Sequence, residues 1–399
     1  MLDAYIYDGL RSAFGRHAGG LAPLRPDDLA AQVIKALVAC SPFAAEQIED
    51  VILGCTNQAG EDSRNVARNA LLAAGLPVTV AGQTVNRLCA SGLAAVLDAA
   101  RAVSCGEGEL YLAGGVESMS RAPFVLGKSE SAYSREARLF DTTIGARFPN
   151  PQVSAAYGSE TMPETADNVA RDYDISREAS DAFALASQQR YARALADGFF
   201  DAEIVPVAVP AGRKGSVSIG HDEHPRPEAD APGLARLNPL FQGGVVTAGN
   251  ASGINDGAAA LLIGSRALGE RAGVKPRGRI LSGAAAGVAP RVMGVGPAYA
   301  IPKALQRAGL TLADMDLIEI NEAFAAQVLG CLKLLELRED DPRINPNGGA
   351  IALGHPLGAS GARLVLTALR ELERRGGRYA VVSLCIGVGQ GLAVVIERI

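Results

Sequence analysis

Two stretches of this chain repeat one another, and such a repeat restricts the fold to two similar halves packed together. Ala90-Ser91-Gly92 can be set over Ala359-Ser360-Gly361, and the next thirty or so residues of each copy match in pattern without a gap. LAAVLDAARAVSC and ARLVLTALRELERR each carry the apolar spacing of an amphipathic helix. Each then meets a glycine, Gly106 or Gly376, and continues into a short apolar strand, LYLAGG or YAVVSL. At nearly the same spacing, Asp50-Val-Ile-Leu-Gly-Cys55 answers Asp316-Leu-Ile-Glu-Ile-Asn321. Each half reads as a βαβαβ-type unit, and short apolar strands alternating with helices predict α/β layers with buried sheets.

A length of 399 residues exceeds one ordinary core, so the repeat also sets the domain plan. Residues 1–119 form an N-terminal α/β half that residues 247–275 complete, and residues 276–399 form the C-terminal half. Residues 120–246 between them are charged, with few apolar strands and one strong helix from about Arg177 to Ala196 ended by Gly198. They read as an insertion of loops and helices laid over the core. A formal charge of −5 offers no broad basic face for nucleic acid or an anionic membrane. With no unbroken apolar run of spanning length and no leader-like start, the chain is expected in the cytoplasm and not in a membrane. The six cysteines form no C-x-x-C pair and lie far in sequence from the four histidines, which argues against disulfides and against a metal site. Cys40, Cys55, Cys105 and Cys331 read as small core residues.

The repeat brings equivalent turns together, and those turns hold the reactive side chains. In Asn86-Arg-Leu-Cys89-Ala-Ser-Gly92 a cysteine stands just before a helix, whose positive end is expected to lower the thiol pKa. The matching turn, Gly348-Gly-Ala-Ile-Ala-Leu-Gly354-His355-Pro-Leu-Gly358, places one histidine among glycines, and pseudo-symmetry sets it opposite Cys89. A Cys-His pair is a standard nucleophile. Near the end, Cys385-Ile-Gly387-Val-Gly389-Gln-Gly391 comes after one strand and enters another with no helix behind it. It is therefore a hairpin with N–H groups facing a ligand rather than a dinucleotide loop. Asn321-Glu-Ala-Phe324 puts a polar residue at a strand end where Cys55 stands in the other copy.

These four motifs together resemble the thiolases, over essentially the whole chain. The resemblance implies the thiolase fold, a layered αβαβα core with an inserted domain, and acyl transfer between thioester carriers with a carbon-carbon bond made or broken. It implies a nucleophile at Cys89, a base at His355, a second acid/base thiol at Cys385 with a pKa within reach of neutrality, and Asn321 holding a water that with His355 stabilises an enolate. It also implies an oxyanion hole from the N–H groups of Cys89 and Gly387. It further implies no permanently bound cofactor and coenzyme A as a cosubstrate, contacted at Ser252 and Ala248 in the Gly-rich loop Thr247–Gly257, at Met162 and Phe324, and at Arg226. Arg213 and Lys214 are further candidates for phosphate neighbours. The family assembles as homodimers or homotetramers, and residues near 125–140 would supply the tetramer loop. The sequence departs from the family at Ala90, where glycine is common, and at Thr161, where biosynthetic members carry histidine.

Within the family, the segment from Gly114 to Pro149, Glu223-His-Pro-Arg-Pro227 and Ala289-Pro-Arg-Val-Met-Gly294 resemble the β-ketoadipyl-CoA (3-oxoadipyl-CoA) thiolases of aromatic-compound breakdown. That substrate ends in a carboxylate, which needs a cation or several donors when buried. Arg16, His17, Arg135, Arg138 and Arg147 are candidates. The competing readings are a broad acetyl-CoA acetyltransferase with the same catalytic residues, a ketosynthase (which expects histidine at position 385), a CoA-binding protein without catalysis, and a redox protein using Cys89 and Cys385.

Overall fold

The computed structural model describes the backbone of residues 1–399 and every side chain except that of Lys214. The first half runs β1 (Ala4–Ser12), β2 (Gly15–Arg16), α1 (Pro26–Cys40), β3 (Asp50–Gly54), α2 (Val66–Ala73), β4 (Ala81–Val85), α3 (Ser91–Cys105) and β5 (Leu110–Ser118). The insertion holds two hairpins, β6 (Phe124–Leu126) with β7 (Leu139–Asp141) and, later, β9 (Val207–Pro210) with β10 (Ser216–Ile219). Around them lie α4 (Pro151–Tyr157), α5 (Met162–Asp172), α6 (Arg177–Ala196), β8 (Ile204–Val205) and α7 (Ala231–Ala235). β11 (Asn255–Gly264) and α8 (Arg266–Ala272) return to the first half. The second half is β12 (Gly278–Gly287), α9 (Gly296–Ala308), β13 (Leu317–Ile320), α10 (Ala325–Leu334), α11 (Ala350–Leu353), α12 (Leu357–Arg375), β14 (Tyr379–Ile386) and β15 (Gln390–Arg398).

The strand order β13-β14-β15-β12-β1-β11-β5-β3-β4 shows the duplication directly. Outward from the centre, β1, β11, β5 and β3 correspond to β12, β15, β14 and β13. The two halves join where β1 and β12 pair antiparallel, Tyr5 opposite Arg279. Period-two burial assigns the faces. Along β14 and β15, Val382, Leu384, Val394 and Ile396 face a central core, whereas Val381, Ala393 and Val395 face an outer one shared with α9 and α10. Ala259, Leu261 and Ile263 of β11 turn inward to the same central core, and Ala258, Ala260 and Leu262 turn out toward α1 and α2. The layers are thus helix, sheet, helix pair, sheet, helix, and α3 and α12 form the middle one.

Two middle helices buried on all sides must approach closely. A Cβ on Gly92 would lie 2.5 Å from the carbonyl oxygen of Gly358, and one on Gly361 would collide with the backbone nitrogen of Leu93. Bare backbone there lets the two helix starts cross in contact, which seats the turn before each helix beside the other. Both helices end the same way, at Gly106 (φ 76°) and Gly376 (φ 70°), where left-handed backbone favours glycine. The stretch from Leu88 to Cys105 is apolar enough to pass for a membrane span, but here it is the core helix of the middle layer. Cys55 and Cys331 are buried as expected. Cys40 and Cys105 are instead exposed, because each is the last residue of a helix that has left its layer.

Candidate active site

Cys89 sits in the turn between β4 and α3, and Ser91 fixes that turn. The Ser91 hydroxyl donates to the carbonyl of Leu88 (2.7 Å) and accepts from the N–H of Arg87 (2.8 Å). Leu88 is held at φ +48°, an unfavourable conformation for a bulky residue and of the kind that persists where surrounding contacts over-determine it. Asn86 accepts from the N–H of Leu88 (2.9 Å) and donates to the carbonyl of Thr56 (3.1 Å), tying the turn to the end of β3.

The matching turn before α12 uses the matching serine. The Ser360 hydroxyl lies 2.9 Å from the carbonyl of Pro356 and 2.6 Å from His355 Nδ1. A carbonyl can only accept, so the single hydroxyl proton goes there and the serine oxygen takes the Nδ1 proton of His355. That tautomer leaves Nε2 unprotonated as the basic nitrogen, accepting from the Asn321 amide nitrogen at 3.4 Å. The His355 N–H is held by Asn255 Oδ1 (2.9 Å), whose amide donates to Gly15 (2.9 Å). In the sequence Ser91 and Ser360 are only landmarks of the repeat, and Asn255 is one residue in a glycine-rich loop. The structure makes all three positioning groups.

Cys385 and Gly387 close the site from the hairpin between β14 and β15. The N–H of Gly387 and that of Cys89 itself point at the Cys89 sulfur, and Cys89 lies near enough to Cys385 to add to the rise that burial gives the Cys385 thiol. Asn321, at the end of β13, donates its N–H to Ser383 (2.9 Å), while its buried Oδ1 has no protein partner among the described residues. Phe324 packs with Cys385 in an apolar cluster that Met162, first residue of α5, also touches. The Gly-rich loop is stitched to this strand end: the Ser252 N–H donates to Ala323 (2.9 Å), and Ala251 bridges Phe324. Ser252 and Met162 are half-buried, and Ala248 is exposed nearby in the same loop. Arg226 is exposed, its guanidinium donating to the His224 carbonyl (2.9 Å); Arg213 is exposed, and the side chain of Lys214 lies outside the described residues. A cavity of about 510 Å³ beside α5, lined by Glu164, Asp167 and Arg171, holds none of these groups.

The electrostatics correct two expectations. Burial pushes the Cys89 thiol up to about 11 despite the opposing N–H groups of Gly387 and Cys89, and burial pushes Cys385 well above the ordinary thiol range. Desolvation of an anion outweighs the helix end here. Burial, and after it the nearby Arg363 cation, pushes His355 down to about 3. The resting site is therefore neutral: two thiols and an imidazole whose Nε2 carries no proton. Among the described residues one buried group is of metal-ligand type, Cys55, Asp62 and Glu117. Both oxygens of Glu117 are already engaged by Thr56, Asn57 and the Gly358 N–H at the start of α12, so it reads as a helix cap.

A thiol, a basic nitrogen, a second thiol and convergent N–H donors can form and break an acyl-sulfur bond while moving a proton to or from carbon. Family comparison agrees with that chemistry: residues 4–267 match the thiolase N-terminal domain and residues 274–398 the thiolase C-terminal domain. The chain belongs to the thiolase family. It is 58% identical over 402 aligned positions to the 3-oxoadipyl-CoA/3-oxo-5,6-dehydrosuberyl-CoA thiolase of Escherichia coli (strain K12), with both chains fully covered. It is 57% identical to the beta-ketoadipyl-CoA thiolase of Pseudomonas aeruginosa, covering 100% of this chain and 99% of that one. Among solved structures, the Bacillus anthracis acetyl-CoA acetyltransferase superposes with a TM-score of 0.93 at 39% identity, over 100% of this chain and 99% of that one. Human mitochondrial 3-ketoacyl-CoA thiolase in complex with CoA gives 0.91 at 38%, over 100% and 98%. The fold expected of a thiolase, with two duplicated halves, five layers and an insertion, is the fold observed, the insertion adding two hairpins to its helices and loops.

Proposed function

We propose that this thiolase cleaves 3-oxoadipyl-CoA with CoA to succinyl-CoA and acetyl-CoA by a ping-pong route through an acylated Cys89. The observation that carries the substrate is full-length identity of 56–58% to β-ketoadipyl-CoA thiolases, against 46% to the acetyl-CoA acetyltransferase of Chromobacterium violaceum.

The site supports a route of two half-reactions. In the first, His355 Nε2 takes the Cys89 proton as sulfur attacks C3 of the substrate. The C2–C3 bond breaks, leaving the enolate of acetyl-CoA, whose oxygen is met by the group around His355 and Asn321. Cys385 gives its proton to C2; a thiol kept protonated by burial is in the right state to be that donor. In the second, the incoming CoA thiol returns a proton to Cys385, and its sulfur attacks the acyl carbonyl, whose oxygen faces the N–H groups of Cys89 and Gly387. Cys89 leaves as the thiolate and recovers its proton from His355. Donors preset for such oxygens are each worth about 3 kcal/mol in acyl transfer. CoA is bound through Ser252, Ala248, Met162, Phe324 and Arg226 and is a cosubstrate, with no resident cofactor in the scheme.

The substrate reading is tested by steady-state kinetics on a panel with CoA. The expected result is a higher kcat/KM for 3-oxoadipyl-CoA than for acetoacetyl-CoA or a long-chain 3-oxoacyl-CoA; the reverse order makes the protein a general acetyltransferase. Stoichiometric labelling of Cys89 by acyl-CoA separates either enzyme from a CoA-binding protein without catalysis. Free thiols throughout support a reducing, cytoplasmic setting.

Assembly into homodimers or homotetramers belongs to the same reading. β4 ends the sheet with only β3 beside it, and a bare edge strand is a template for pairing with a second copy. Phe124, Leu126, Tyr133 and Leu139 are 60% or more exposed, an apolar surface on the hairpin and loop that includes residues 125–140. Sedimentation equilibrium is expected to give a mass of two or four chains, and a monomer at micromolar concentration contradicts it.

A further inference from the structure

We propose that Arg147 selects the substrate by binding its terminal carboxylate, an inference that rests on the 3-oxoadipyl reading above. An acyl group of that kind, once on Cys89, carries a negative charge a short chain away from the sulfur, and enclosing that charge requires a cation with free donors. Of the five candidates in the sequence, Arg16, His17, Arg135 and Arg138 are exposed, and Arg138 lies over the ring of Phe140. Arg147 is half-buried.

Its surroundings set it apart from a structural ion pair. The guanidinium donates to the carbonyls of Thr142 (3.3 Å), Thr56 (3.4 Å) and Asn57, and no carboxylate pairs with it among the described residues. Carbonyl oxygens orient the planar fork but leave its charge unneutralised and its Nε donor unused. The Thr56 carbonyl is also the acceptor for Asn86, the residue that opens the Cys89 turn. Arg147 and the nucleophile's turn therefore share one anchoring atom. The loop bearing Arg147 is pinned there from its other side, since the Asn57 amide donates to Thr142 O and Oγ1 at 3.1 Å each. β3, β4 and β5 run parallel, and both Cys89 and the Thr56–Asn57 turn stand just beyond their carboxyl ends, where open α/β sheets bind ligands.

Two other half-buried arginines stand at this end, and Arg121, beyond β5, is already neutralised by an ion pair with Glu61. Arg87 is two residues before Cys89, and its side chain has no hydrogen bond among the described residues. No second loop holds it in place, so it serves as the comparison.

The experiment uses two six-carbon substrates that differ only at the far end, 3-oxoadipyl-CoA and 3-oxohexanoyl-CoA, with wild type, Arg147→Gln, Arg147→Lys and Arg87→Gln. Arg147→Gln is expected to lower kcat/KM for 3-oxoadipyl-CoA by about 30- to 100-fold, mainly through KM, and to change it for 3-oxohexanoyl-CoA by less than about threefold. Arg147→Lys, which keeps the charge and loses the fork, falls between. Equal losses on both substrates, whether from a displaced loop or from misfolding in both Arg147 variants, overturn the proposal. So does loss of discrimination in Arg87→Gln with Arg147→Gln unaffected. A wild type without preference for 3-oxoadipyl-CoA overturns the substrate reading as well, and is recognised because the failure precedes any substitution.

Discussion

Cys89→Ala is expected to leave a folded, CoA-binding protein whose thiolysis is slower by about four orders of magnitude, the loss typical when a covalent nucleophile is removed. The folded state should survive because the substitution removes one atom from a half-buried turn and touches none of the bonds that shape it. Ser91 still ties Arg87 to Leu88, Asn86 still reaches Thr56, and Gly92 still crosses Gly358. The backbone N–H of residue 89 also remains as an oxyanion donor. The measurement is single-turnover acyl transfer from 3-oxoacyl-CoA, read beside thermal unfolding. A variant with the wild-type melting temperature and more than a few per cent of the wild-type rate would assign the nucleophile elsewhere, with Cys385 the next thiol to examine.

Much of this site is legible in the sequence because the repeat is a statement about geometry. Once Ala90-Ser91-Gly92 is set over Ala359-Ser360-Gly361, the turns bearing Cys89 and His355 have to meet, and the bare backbone at Gly92, Gly358 and Gly361 is how they do so. The strands are legible for a related reason: a run such as YAVVSL that is apolar on both faces has to lie inside a sheet covered twice. Quantities that depend on three-dimensional surroundings are not legible. A cysteine before a helix suggests a lowered pKa, yet the depth of packing around Cys89 and Cys385 acts in the opposite sense and prevails. Cys40 and Cys105 look like core thiols by type and are exposed because of where their helices end. Asn255 is hidden for a third reason, since its partners Gly15 and His355 are both distant in sequence and no local pattern joins them.

Replacing His355 by glutamine is expected to reduce turnover by about a thousandfold, within the usual range for losing a positioned general base, while leaving the intrinsic reactivity of Cys89 toward a small alkylating agent nearly unchanged. The second half of that expectation comes from the charge state of the resting site. With the Cys89 thiol pushed up to about 11 and the imidazole down to about 3, the proton stays on sulfur across the neutral range, and Nε2 waits unprotonated. A raised thiol pKa means that the thiolate fraction is small at neutral pH and grows as pH rises. Alkylation of Cys89 by iodoacetamide, tracked by peptide mass so that the exposed Cys40 and Cys105 do not interfere, should then climb about tenfold per pH unit from pH 6 to 9 with no plateau. His355→Gln should track the same line. A preformed thiolate-imidazolium pair predicts a different pattern: a plateau beginning below pH 7 in the wild type that disappears when His355 is replaced. If that plateau is seen, the helix start and the imidazole together outweigh burial at Cys89, and proton transfer precedes substrate binding. If the slope is unbroken, His355 acts only as sulfur attacks, and the hydrogen bond from its Nδ1 to Ser360 is what keeps Nε2 in the basic form until then.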